Sequence, residues 1–128
     1  VLADAVADIA YRQGVMKTVG GHMAAIGAIL RFQVHPEDLA LHANGMATIA
    51  NVVPGVFPAG SGEGKTEALP EIWSKPDEFK QAMDKFVDAA RGMAAAANGA
   101  DPAAIGSAVR SLGQSCKGCH DNFREEHD

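Results

Sequence analysis

Cys116, Cys119 and His120 stand together in the stretch SCKGCHDNFREEHD, which contains both cysteines of the 128-residue chain. Two thiols one helical turn apart, with an imidazole directly after the second, can hold a metal ion, cycle between dithiol and disulfide, or anchor a haem. On a helix advancing about 100° per residue the three positions share one face. A structural zinc site needs a fourth ligand, usually from a second Cys or His pair, and only His127 lies nearby. A thioredoxin-like dithiol belongs beside a βαβ unit, for which this sequence has no pattern. C-x-x-C-H is the spacing of c-type haem attachment, and geometry accounts for it. Each thiol can add its S–H across a porphyrin vinyl group, and the next residue then brings its imidazole beneath the iron. Haem attachment is the favoured reading.

Eight residues follow His120. His127 lies two turns along the same helix and cannot reach the opposite haem face. Any ligand on that distal face is therefore expected from upstream helices, and a buried haem with no committed sixth ligand becomes an expectation.

The elements that must carry this triplet are helical. Apolar residues recur near every 3.5 positions in four segments, the spacing of a bundle helix. The first stripe is Ile9, Met16, Val19, Met23, Ile26 and Leu30, and the second Leu39, His42, Met46, Ile49 and Val53. The third is Phe79, Met83, Phe86, Ala90, Met93 and Ala97, and the fourth Ile105, Val109, Leu112, Cys116, Cys119 and Phe123. Residues 74–77 read as a capping pattern with Pro76 in the first turn. Asn98-Gly99 reads as a helix end, and Asp101-Pro102 as an N-cap followed by proline. The short link makes the third and fourth helices antiparallel. The segment VVPGVFPAGSGEGKTEALPEIWSKP joins the second and third; a connection this long is usually functional or disordered. Phe57, Leu69, Ile72 and the only tryptophan, Trp73, imply that it packs on something. The expectation is an all-α, antiparallel four-helix bundle with a long loop between helices 2 and 3, one domain over residues 1–128.

Composition bounds the function. Hydrophobic residues at 47% and charged ones at 21% make a globular balance, and 5% aromatics with abundant Ala and Gly favour close-packed helices. A net charge of −5 without a Lys/Arg run argues against a nucleic-acid partner. The longest apolar run, MAAIGAIL, is far short of the roughly 20 residues of a membrane span. The chain begins at Val1, consistent with a targeting peptide already removed or with a trimmed chain.

With these residues in view, the sequence resembles the cytochrome c′ family, four-helix-bundle haem c proteins of the bacterial periplasm. CKGCHDNFR follows three bundle helices, YRQGVMKTVG lies on the first, and KTEALPEIW lies in the long loop. The resemblance implies that Cys116 and Cys119 form the two thioethers of one haem c and that His120 ligates its iron. It implies that Arg12 and Gln13 contact the haem and its propionates, and that Thr66 and Glu67 lie at the haem edge. A guanidinium fork suits a carboxylate, although the residue pattern alone would leave Arg12 an exposed helix charge. Met16 matches the position facing the distal side of the iron. It is expected to be an apolar plug leaving the iron five-coordinate and high-spin; the alternative is a low-spin, six-coordinate electron carrier with Met16 as sixth ligand. Arg124 matches a basic residue beside the proximal histidine, against the alternative of an exposed charge at a helix C-terminus. Trp73, Phe79 and Phe86 are expected in haem packing or core. His22, about 200° around the helix from Met16, is expected to face solvent or a partner subunit, and His42 has no matching family role.

The function implied is binding of NO and CO at the distal face, with selection against O₂ for want of a polar distal donor, and electron transport with an unidentified redox partner. No enzymatic activity is expected, since the distal His/Arg pair of a peroxidase is missing. A periplasmic location and a homodimer through helices 1 and 2 complete the expectation.

Overall fold

The computed structural model describes residues 2–126; His127 lies outside them. Four long helices form an antiparallel bundle: α1 (Leu2–Phe32), α2 (Leu39–Ala50), α4 (Pro76–Gly99) and α5 (Pro102–Phe123), with a single-turn helix α3 (Glu71–Ser74) in the long connection. Asp4 in the first turn and Arg31 in the last complement the dipole of α1. That helix ends where Gln33 and His35 turn left-handed, at φ 53° and 47°, before Pro36. The link between α4 and α5 is as tight as the sequence implies. Asp101 caps α5 by accepting from the Ala103 N–H at 3.1 Å, and Pro102 follows it. The left-handed residue closing α4 is Ala100, at φ 57°, not the adjacent glycine.

Residues 74–77 do not cap α4 as the pattern suggests. Ser74 ends α3, and the N-cap of α4 is Lys75, whose side chain makes no capping bond. The run from Pro70 instead closes a separate turn first, with the Ser74 N–H bonded to the Pro70 carbonyl at 3.1 Å.

One core joins the bundle helices. Ile26 of α1, Met46 of α2, Met93 of α4 and Leu112 of α5 are each fully buried, and all belong to the same apolar cluster. Burying a side chain of this kind is worth roughly 1.5–3 kcal/mol. The six stripe residues of α4 are its six buried residues. On α1 the buried stripe differs: Ala5, Ile9, Arg12, Val15, Val19, Ile26 and Ile29. Met16 and Met23 flank it half-buried, and Leu30 is exposed. Arg12 is the one cation in that stripe, at a core position that an apolar pattern cannot register.

Helix α1 packs on α2, α2 on α4 and α4 on α5, while α1 and α5 make little backbone contact. On α5 only Leu112 and Phe123 are fully buried; Ile105, Val109, Cys116 and Cys119 are half-buried against the core. No helix among the described residues is long and apolar enough to cross a membrane.

Candidate haem site

The long loop between α2 and α4 is ordered by buried polar bonds rather than by strands. Arg12, 3% exposed, sends its guanidinium from α1 into this loop. One terminal nitrogen donates to the Ser61 hydroxyl at 2.7 Å and the Val56 carbonyl at 3.3 Å. The other donates to the Ser61 carbonyl at 2.8 Å and the Thr66 hydroxyl at 2.9 Å. Its face lies 5.0 Å above the centre of the Phe57 ring, a cation–π distance. Phe57 in turn meets Phe79 edge-on at 5.0 Å, and Phe79 meets Phe123 at 5.1 Å. Loop, α4 and the end of α5 are thus joined by one aromatic row. Burial pushes the Arg12 pKa below its ordinary value, and Asp8, one turn earlier, opposes that shift. Arg12 is therefore no exposed helix charge. Gln13, beside it, is exposed and donates to the Lys65 carbonyl at 3.2 Å.

Trp73 completes the loop as anticipated, by packing. Its indole N–H donates to the carbonyls of Phe57 and Pro58 at 3.1 and 3.2 Å, and its ring lies against Gly62, where a Cβ would come within 2.7 Å of it. Phe79 and Phe86 are core residues.

The loop's second half docks on the end of α5. The Leu69 N–H bonds to the Phe123 carbonyl at 2.9 Å and the Glu125 N–H to the Glu67 carbonyl at 2.8 Å, flanking an antiparallel bridge between Ala68 and Arg124. This places Glu67 against Arg124, whose Nε donates to the Glu67 carboxylate at 3.0 Å. The same guanidinium reaches His120, its terminal nitrogen 3.3 Å from Nδ1. Arg124 is accordingly paired in two directions, in place of a lone charge at a helix end. Burial, then the nearby Arg124 charge, lowers the His120 pKa and so favours the neutral imidazole, while Asp121 and Glu67 pull the other way. A neutral ring is the form that can ligate iron.

Cys116 and Cys119 sit half-buried on the same helix. Burial raises both thiol pKa values, that of Cys119 to about 11 with the neighbouring Cys116 adding to it. A raised pKa favours the S–H form over a thiolate poised for disulfide exchange. Across from α5, Met23 of α1 reaches toward Gly113, its methyl 4.0 Å from where a Cβ would stand, and Met16 is half-buried against the core. Two S–H groups one turn apart, a neutral imidazole after them and apolar flanks from α1 and α5 form a donor set that fits haem c.

A sequence model described as Cytochrome C′ matches residues 7–124. The chain belongs to the cytochrome c′ family. It is 43% identical over 119 residues to the cytochrome c′ of Pararhodospirillum photometricum, covering 91% of this chain and 95% of that one. The solved cytochrome c prime from Shewanella frigidimarina superposes with a TM-score of 0.90 at 31% identity, covering 95% and 97% of the two chains. A ferrous variant of cytochrome c prime from Alcaligenes xylosoxidans with bound NO superposes with a TM-score of 0.85 at 26% identity, covering 94% of each. As a member of the family this chain is a haem c protein, and its two cysteines are consistent with covalent attachment.

Two features escaped the sequence reading. Ser61, fully buried between Arg12 and the Pro58 carbonyl, hides in a run of small polar loop residues that carries no signal for it. His22 is half-buried, and beyond what the sequence suggested its Nδ1 lies 3.1 Å from Nδ1 of His42. The clue was His42 in an apolar register; what the sequence lacked was the α1–α2 crossing that brings the two rings together.

Proposed function

We propose that this chain is a periplasmic haem c protein that binds NO and CO and takes part in electron transport, with five-coordinate, high-spin iron. The observation that carries this reading is the commitment of Arg12 to the loop. The cation one turn before Met16 already has carbonyl and hydroxyl acceptors, so the distal side is left to an apolar, half-buried methionine. A crowded apolar face suits NO and CO and offers O₂ no hydrogen bond. The NO complex of a relative of the same fold supports the same ligand class.

When bound, haem c supplies an iron site for a diatomic ligand and a one-electron Fe(III)/Fe(II) couple. Cys116 and Cys119 would hold the group covalently through their sulfurs, and His120 would ligate its iron. Arg124, held by Glu67, restrains the His120 ring and limits its contact with water. Arg12 holds the loop in place through its own bonds to Val56, Ser61 and Thr66, Gln13 and Thr66 would supply donors there for the haem carboxylates, and Glu67 would close the edge. Met16 is the residue a diatomic ligand must displace. A periplasmic location fits a haem c protein; release by osmotic shock of the source cells would bear it out, and retention with the cytoplasm would refute it. A homodimer through α1 and α2 is supported by Val6 and Tyr11 on α1 and Leu41 on α2, large apolar side chains left exposed.

The test is the electronic and EPR spectrum of the ferric protein at neutral pH, followed by NO titration of the ferrous form. High-spin signals, NO uptake, and faster uptake in Met16→Ala are expected. A low-spin spectrum that Met16→Ala abolishes would establish the methionine-ligated alternative instead. Haem extracted by acid-acetone would refute attachment through Cys116 and Cys119.

A further inference from the structure

His22 and His42 form a second cluster of metal-ligating atoms, separate from the haem-binding residues. They come from α1 and α2, both half-buried, with ring centres 5.4 Å apart and planes at 61°. Their Nδ1 atoms face each other at 3.1 Å. The Cε1–Nε2 edge of His22 lies over Gly45, where a Cβ would meet both atoms at 2.6 Å. That glycine gives the ring its place. It also turns the Nε2 edge toward the α2 backbone and leaves Nδ1 as the atom available to a ligand.

We propose that His22 and His42 bind a divalent transition-metal ion through their two Nδ1 atoms. Two metal–nitrogen bonds of about 2.0–2.1 Å spanning this separation enclose roughly 95–100°. That is close to the right angle of adjacent positions in the tetragonal sites of Cu²⁺ and Ni²⁺, and imidazole suits both ions. In the metal-free neutral pair, one Nδ1–H donates to the other Nδ1. A cation taking both lone pairs moves that proton to Nε2, and no electron changes hands. Among the described residues no carboxylate joins the pair to make a three-ligand group; the one such group is the exposed His35, Glu37 and Asp38. The remaining coordination positions are then left to water, which makes the site exchangeable rather than structural.

The probe is Cu²⁺ added to the ferric holoprotein, followed by calorimetry and by the copper EPR signal. One ion per chain with nitrogen hyperfine structure is expected. Its affinity should fall at least about tenfold in H22Q and in H42Q, since loss of even an outer-shell partner costs 10–100-fold. The haem absorption spectrum and helical circular dichroism should not change. Gly45→Ala keeps both histidines but displaces the His22 ring, and it too should weaken binding. In H35Q the affinity should be that of the parent. Copper binding that is equal in the parent, H22Q and H42Q, or that disappears in H35Q, would overturn the proposal. So would no binding in the parent.

Discussion

Replacing Arg12 with alanine should destabilise the protein by about 3–5 kcal/mol, the balance of its buried hydrogen bonds against the cost of burying its charge. Three of the Arg12 donor contacts are short: 2.7 Å to the Ser61 hydroxyl, 2.8 Å to its carbonyl and 2.9 Å to the Thr66 hydroxyl. Hydrogen bonds to a charged group contribute about 1.5–3 kcal/mol each, so the three amount to roughly 5–9 kcal/mol. Against this stands the cost of burying a guanidinium with no carboxylate in contact, several kcal/mol, whose sign is visible in the lowered Arg12 pKa. Alanine removes that cost but leaves the Ser61 carbonyl without its donor beside a cavity over Phe57. For a chain of this length each kcal/mol moves Tm by about 3–6 °C, so a loss of about 10–30 °C is expected. Thermal unfolding of the holoprotein followed by circular dichroism measures it. R12K keeps the charge but not the fork that reaches Ser61 and Thr66 together, and should fall between parent and R12A. In the cycle with Ser61→Ala the two losses should be clearly less than additive, because they share one interaction. An R12A protein melting within about 2 °C of the parent would refute the argument that this buried cation holds the loop.

Glu67→Gln tests the outer end of the same loop. The Glu67–Arg124 pair is nearly half exposed on both sides, so stability should change by less than about 1 kcal/mol. The reduction potential should nonetheless shift, because Arg124 also contacts His120; a large drop in Tm with an unchanged potential would contradict this assignment. Sedimentation equilibrium of the holoprotein should give a dimer that Leu41→Lys dissociates. A parent sedimenting as a monomer, or a dimer indifferent to that charge, would rule out the α1–α2 interface.

The sequence by itself determined the haem chemistry and most of the bundle. C-x-x-C-H specifies its own geometry, because a helix puts positions 116, 119 and 120 on one face whatever surrounds them. The α4 stripe and the Asp101-Pro102 start of α5 were legible for the same local reason: period and capping depend on residues a few positions apart. Trp73 signalled a packed loop, since so large an apolar ring is rarely left in water.

What tertiary structure alone decided involves partners 20–60 residues apart in the chain. Arg12 reads as a surface charge until Val56, Ser61 and Thr66 surround it. Glu67 and Arg124 became neighbours of His120 only through the bridge that lays the loop on the end of α5. His22 and His42 became a pair only where α1 crosses α2 over Gly45. Spacing along a helix encodes which residues share a face, but a polar group's partner is chosen by whichever distant segment folds against it, and no local pattern carries that choice.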